Sequence, residues 1–308
     1  MKHLYKIISL LFLFVFSNFS LAELNVVASI KPLYGLVTNV SGDKNNNKLL
    51  INSVSSPHHY QLRPSDIKMI QNADVVFIID EHFETFLSRY FAKNKLKAKI
   101  VQLSDSKNLI MLKARHKHEL ISGEHSTEHC HCKHGHKDIH YWSDPNNAQK
   151  MVSKIAEVLA ELDPENKEYY ENNATTTNKR LVALDKELEL KLAPIKNKNF
   201  IVFHDAYQYF EHRYNLSNVG SIVVGNNKNF GAKTISKIQK IIQDKQAVCI
   251  FAEPQFSSDV VRNIADAGKI KYNYLDIEWG ASYSGLKPED YYFAMMRSNT
   301  NNLVYCLS

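Results

Sequence analysis

Past its first two dozen residues the chain has no run of about 18 apolar residues, so nothing there is long enough to cross a bilayer as a helix. No cysteine lies near Ala22, which removes a lipid-modified N-terminal cysteine as an anchor. Basic residues are not clustered: the formal net charge is only +6, two of it from Lys2 and Lys6, and the rest is interspersed with acids. Nucleic acid is therefore excluded as a partner. Neither His-Glu-x-x-His nor Gly-x-Ser-x-Gly occurs, so two common hydrolase signatures are missing.

What is present begins with an export signal. Met1, Lys2 and Lys6 precede an apolar run over 7–16, and small residues follow at Ser20 and Ala22. This pattern predicts a signal peptide over 1–22, cleaved after Ala22, and a soluble exported product. The apolar run, roughly 10 residues, is about half of what a permanent anchor needs. Export places the four cysteines where disulfides persist. Cys249 lies by an apolar strand-like run and Cys306 near the C-terminus, so a bond between them would tie the tail to a core strand. Such a bond is worth roughly 4 kcal/mol in the chain-entropy model; two buried free thiols are the alternative. Cys130 and Cys132 are too close to bridge easily and are left available for metal.

Short β-rich runs at 24–30, 49–54, 73–79 and 99–103 alternate with helix-like stretches at 64–71 and 83–93. The alternation returns with strands at 199–203, 219–224, 247–251 and 270–275 and helices at 206–214, 234–245 and 257–267. Alternation of this kind implies α/β lobes, each a parallel sheet flanked by helices. Asp163 and Pro164 form a helix start signal, and Leu181, Leu184 and Leu188 repeat at helical spacing. Residues 163–193 are read as one stiff helix of about 28 residues, spanning roughly 40 Å; two shorter helices broken at 172–178 are the alternative. The expected organisation is an N-terminal lobe over 23–162, this linking helix, and a C-terminal lobe over 194–308.

Eight of the 14 histidines fall between His116 and His140: His116, His118, His125, His129, His131, His134, His136 and His140. Cys130 and Cys132 interleave with them, and Glu119, Glu124, Glu128 and Asp138 add carboxylates. Imidazole, thiolate and carboxylate together suit zinc above the hard cations. With Gly123, Gly135 and almost no apolar content, residues 115–138 are expected to be a loop inserted in the first lobe. No pair has the fixed double spacing of a zinc finger, so the loop histidines from His116 to His136 read as secondary weak sites.

In open parallel sheets ligands bind beyond the carboxyl ends of the strands. That rule points to His58 and His59, to His204 and Asp205, to Glu253, and to Asp276, with His140 added from the end of the loop. Each lobe then supplies metal-compatible groups, and the site is expected in the cleft between them. Three imidazoles and a carboxylate make a tetrahedral zinc set. The rule finds candidates without choosing among them.

At these residues the sequence resembles the metal-binding receptors of bacterial ABC importers (the cluster A-I substrate-binding proteins), and among them the periplasmic zinc receptors of high-affinity importers. The blocks that carry the resemblance are SSPHHYQLRPSD (55–66), IHYWSDPNNA (139–148), FHDAYQYFEHRYNL (203–216) and FAEPQFSS (251–258). The resemblance implies that His58, His140 and His204 are the imidazole ligands, with Asp276 as the fourth and water or His59 as alternatives. It makes Glu253 a group that orients a ligand by hydrogen bonding. Manganese-carrying relatives usually have Glu where His204 stands, so histidine there favours zinc. It also implies a Cys249–Cys306 disulfide, a histidine-rich insert and two lobes joined by a rigid helix. Two departures stand out: Pro57 replaces an acidic residue that some zinc receptors carry before the first ligand, and the last block reads LDIEWG where the family usually has Leu-Asp-Pro-Leu-Gly.

The function implied is that of a monomeric receptor, not an enzyme, which captures Zn2+ and delivers it to an inner-membrane ABC permease. A receptor for manganese or another divalent metal, a free-standing periplasmic metal buffer and a zinc-dependent hydrolase are the alternatives. Whether neighbouring reading frames encode a permease and an ATPase discriminates among them.

Overall fold

The computed structural model describes residues 23–53, 56–115, 137–223, 231–244, 246–278 and 285–308, and the main chain alone of His59. The signal peptide expected at 1–22 lies outside the described residues. The first lobe runs β1 (Asn25–Ala28), α1 (Lys31–Ser41), β2 (Asn46–Leu49), α2 (Pro64–Gln71), β3 (Val75–Ile78), α3 (Thr85–Phe91) and β4 (Lys99–Gln102). Two long helices follow, α4 (Pro145–Leu162) and α5 (Lys167–Leu192). The second lobe comprises β5 (Asn199–His204), α6 (Gln208–Tyr214), β6 (Ser217–Val223), α7 (Ala232–Asp244), β7 (Cys249–Ala252), α8 (Asp259–Gly268), β8 (Lys271–Tyr274) and α9 (Tyr291–Leu307). Each lobe holds one four-stranded, all-parallel sheet, in the orders β2-β1-β3-β4 and β6-β5-β7-β8.

The central strands are β-branched or aromatic and buried on both faces, as parallel sheets require. In the second lobe Phe200, Val202, Cys249 and Phe251 face the main core, which extends through α5, α4 and the first sheet. Their neighbours Ile201, Phe203, Ile250 and Ala252 face a second, smaller core with Ile238, Ile242, Val261 and Ile264 of α7 and α8. The two-residue alternation thus assigns each face its own helices. In both sheets the chain leaves the first strand in one direction and returns past it in the other, so a switch point opens between β1 and β3 and another between β5 and β7.

The strand expected at 49–54 is instead the polar segment Asn46–Leu49, an edge strand half open to solvent. Leu50 and Ile51 carry the apolar burial and still bond to the end of β1, through N–H donation to the carbonyls of Ala28 (2.9 Å) and Ser29 (3.0 Å). Helix α5 is continuous for 26 residues, about 39 Å. It passes unbroken through 172–178 because the polar residues there find partners: Asn173 donates to the Val40 carbonyl at 3.0 Å and Thr177 to the Asn173 carbonyl at 2.8 Å. Asp163 does not cap it. Asp163 starts a separate 3-10 turn, Pro164–Asn166, and accepts from Tyr170 at 2.6 Å and Asn166 at 2.7 Å. At its far end Asp185 accepts from Arg213 (2.5 Å) and Tyr214 (3.0 Å) of α6, so one helix grips both lobes.

Helix α9 returns across the molecule. Its last turn is bonded to β7 by the Cys249–Cys306 disulfide, with Cα atoms 6.0 Å apart. Its first turn packs on α1, where a Cβ at Gly35 would lie 3.0 Å from the Tyr292 nitrogen and 3.1 Å from the Pro288 carbonyl oxygen.

Candidate metal centre

Three imidazoles from three separate segments meet between the lobes. His58 sits on the 3-10 turn Pro57–His59, whose proline fixes the first φ. Asp66 accepts from the Tyr60 hydroxyl (2.9 Å) and the Arg63 N–H (2.8 Å), and so fastens this turn to the start of α2. Burial, with the hydrogen bond to Asp66 and its charge, raises the Tyr60 hydroxyl to about 12. His140 immediately precedes the turn Tyr141–Ser143, which is anchored by the Tyr141 hydroxyl on the Ile79 carbonyl at 2.5 Å. His204 is the last residue of β5, beside the second switch point.

One ring nitrogen from each histidine lies within 4.8 Å of the other two. The ring centroids form a nearly regular triangle: 5.7 Å for His58–His140, 5.6 Å for His58–His204 and 5.2 Å for His140–His204. Phe83 closes one side, 4.9 Å from His58 and 6.0 Å from His140, and Trp142 stands 5.4 Å from His140. Phe83 is held by its neighbour Glu84, which accepts from the Ser29 hydroxyl and from the N–H groups of Ile79 (3.0 Å) and Asp80 (3.1 Å). Burial pushes the Glu84 carboxyl up to about 7 against the pull of those bonds.

Two of the rings are oriented from behind. His140 Nδ1 donates to Asp138 at 2.8 Å, and the same carboxylate oxygen accepts from the His140 backbone N–H at 2.9 Å. Burial opposes the charge on Asp138, but His140 and Arg115 hold its carboxyl below the usual range. His204 Nδ1 lies 3.5 Å from Glu253, whose other oxygen accepts from Tyr207 at 2.7 Å. Burial works against protonation of His204, yet Glu253, Asp205 and Asp138 together draw its pKa above the ordinary 6.5. These carboxylates take the Nδ1 side, and the Nε2 atoms of His140 and His204 are left buried without a hydrogen-bond partner. An unsatisfied buried polar atom costs about 1–3 kcal/mol. A metal ion shared between them removes that cost.

Asp276 is buried just beyond β8 but is not part of the trio; its Oδ1 accepts from Gln255 at 2.9 Å. Asp205 and Glu211 are occupied by Arg115, which bonds both, with 2.6 Å to Glu211. Asp138, which composition groups with the loose carboxylates of the histidine-rich loop, is instead 6 % exposed and committed to His140. Its position two residues before a candidate ligand was the signal available in the sequence. His116, His118, His125, His129, His131, His134 and His136, with Cys130 and Cys132, lie outside the described residues, as does the His59 side chain.

Comparison with known proteins agrees with this architecture. The family model for zinc-uptake complex component A, periplasmic (ZnuA), matches residues 26–306. A high-affinity zinc uptake system protein ZnuA from Brucella suis is 36 % identical over the full length of both chains. The Yersinia pestis protein of the same name is 32 % identical over 94 % of this chain and 93 % of its own. Among solved structures, ZnuA has a TM-score of 0.76 at 22 % identity, covering 93 % of this chain and 100 % of that one. The periplasmic zinc-binding protein TroA of Treponema pallidum has a TM-score of 0.77 at 20 % identity, with the same coverage of both chains. These two structures speak to the fold, and the full-length matches in sequence to the family. The chain belongs to the ZnuA family of zinc-uptake components.

Proposed function

We propose that this chain is a monomeric periplasmic zinc receptor, exported by a signal peptide cleaved after Ala22, that captures Zn2+ between its lobes and delivers it to the permease of an ABC importer. His58, His140 and His204 bind the ion, with Asp276 as the fourth ligand. The observation that carries this reading is the triangle of imidazoles, His58 half-buried and the other two buried and backed by carboxylates that leave Nε2 for a cation. Neutral imidazoles suit a borderline cation better than a hard one, and the carboxylates behind two of them fix the rings' orientation. The family membership and the names of the relatives support the transport role.

Metal analysis after equilibration with balanced first-row divalent metals tests the choice of ion. Zinc at one per chain is expected, and His204→Glu should lower the zinc-to-manganese preference. Wild-type protein holding mainly manganese at one per chain would overturn the proposal.

A further inference from the structure

The wall of the candidate site is aromatic where it meets two of the imidazoles. Phe83 packs edge-on against His58, with centroids 4.9 Å apart and planes at 80°, and against His140 at 6.0 Å and 82°. Trp142 backs it, 5.0 Å from Phe83 and 5.4 Å from His140. Phe83 and Trp142 are 0 % exposed and His140 4 %, so this flank is dry. An edge contact at 4.9 Å is van der Waals packing, with no space for a water molecule between the two rings. The turn that carries Phe83 follows β3 and is firmly held: the N–H groups of Phe83 and Glu84 both donate to the Asp80 carbonyl, at 2.9 and 3.0 Å. Glu84 fastens the turn to Ser29 beyond β1 and to Ile79 and Asp80 beyond β3. Tyr141, next to His140, donates to the same Ile79 at its carbonyl. The wall and one of the ligands it touches are therefore anchored on a single strand end.

This placement bears on coordination number. When three nitrogens hold one face of an octahedral ion, each remaining position lies opposite a nitrogen, and the one opposite His204 lies across the His58–His140 edge. Phe83 stands along that edge. Zinc is satisfied by four ligands in a tetrahedron, whereas manganese favours six positions rich in oxygen, water among them. We propose that Phe83 is a specificity-determining residue: its ring fills the flank from which a further water would reach the ion, and so selects zinc over cations that need six ligands. The apolar shell of a metal site controls its access to solvent. The proposal rests on the zinc reading above and deepens it, since three imidazoles without such a wall would also accept an ion that keeps three waters. It requires no particular fourth ligand.

Cobalt(II) reports coordination number directly, because its visible absorption is intense when four-coordinate and weak when six-coordinate. In the full wild-type chain, given substoichiometric cobalt so that the tightest site fills first, the intense bands are expected. Phe83→Ala should lose that intensity several-fold as water enters, and its zinc-over-manganese preference, measured by competition, should fall about tenfold, the lower end of what groups around a metal site contribute. Phe83→Leu removes the ring but keeps most of the volume; it should move both readouts in the same direction, and it carries the test if the alanine variant does not fold. Ile238→Ala, in the smaller core of the second lobe, removes buried volume without touching the imidazoles and should keep the wild-type spectrum and preference. Weak six-coordinate bands in the wild type, an unchanged spectrum or an unchanged preference in the Phe83 variants, or equal changes in Ile238→Ala would overturn the proposal. His58→Ala separates the two claims: if it binds zinc as tightly as the wild type, the zinc reading itself fails. If it loses zinc while the Phe83 variants keep the wild-type spectrum and preference, only the Phe83 proposal fails.

Discussion

At the scale of single residues, the division of labour within each imidazole decides what the site can bind. His140 spends Nδ1 on Asp138 and His204 faces Glu253 with Nδ1, so the tautomers that present Nε2 are set before any ion arrives. Asp138→Asn keeps an acceptor for the His140 ring but removes the negative charge beside it. Zinc affinity should fall about tenfold, at the lower end of what such outer partners contribute, while the thermal midpoint of the metal-free protein moves little. Calorimetric titration beside thermal unfolding checks this, and unchanged affinity would mean that the Asp138 charge does not reach the metal. The strand-end rule pointed to His58, His204, Glu253 and Asp276 from the sequence because each follows a run read as a strand. It could not choose among them. Ligands scattered over separate segments leave no local spacing, and only the resemblance of whole blocks selected the trio. Asp138 was hidden by composition, since it closes a stretch rich in polar residues and is nevertheless buried.

At the scale of elements, the alternation of strands and helices was legible wherever strands are buried on both faces, as in VVFI of β3 and CIFA of β7. It failed at β2, where an edge strand needs backbone pairing but no apolar side chains, and NNKL carries almost none. Helix α9 was equally hard to read. Its middle, from Ser298 to Asn302, is polar, and Asn299 and Thr300 are nevertheless buried. Asn299 earns its place through the bonds to Asp276 rather than through packing. The seam between α9 and α1 yields a prediction opposite in sign to helix propensity. Gly to Ala inside a helix normally stabilises by up to about 1 kcal/mol. At Gly35 the added Cβ would meet backbone atoms of Tyr292 and Pro288 at 3.0 and 3.1 Å, and backbone cannot step aside as a side chain can. Gly35→Ala should therefore destabilise, by about 1–3 kcal/mol as overpacking does. Denaturant unfolding with an unchanged or raised midpoint would contradict it.

At the scale of the whole molecule, the histidine-rich insert leaves the first lobe through a neck that is docked on the second. Lys113 and Lys137 pair as an antiparallel bridge, and the Asp138 N–H donates to the Leu112 carbonyl at 2.9 Å. The Tyr209 hydroxyl of α6 receives the Leu112 N–H at 3.0 Å and donates to the Asp138 carbonyl at 2.7 Å; Gln208 donates to the Lys113 carbonyl at 3.1 Å. Arg115 then bonds Asp205 and Glu211, two buried carboxylates of the second lobe. The neck, Asp138 and His140 are thus held by contacts that owe nothing to residues 116–136. Removing those residues joins Arg115 to Lys137 and leaves Ala114 and Arg115 as a two-residue connection between the paired lysines, a length that antiparallel pairs commonly use. The deletion is consequently expected to fold and to keep the buried triangle intact. Ligands held by the folded lobes, on two anchored turns and the end of β5, lose little freedom when the ion binds. From composition alone, ligands between His116 and His136, with almost no apolar neighbours in sequence, are expected to be ordered by the metal itself, at about 1–2 kcal/mol of backbone entropy per fixed residue. Zinc titration calorimetry of the deletion variant should therefore show one tight site and no weaker ones, whereas His58→Ala in the full chain should lose the tight site and keep the weak ones. Loss of the tight site on deletion would place a principal ligand in the insert and remove His58, His140 and His204 as a sufficient set. If the weaker sites serve to collect metal beside the cleft, cells carrying the deletion should grow normally in ample zinc and fall behind only when zinc is scarce.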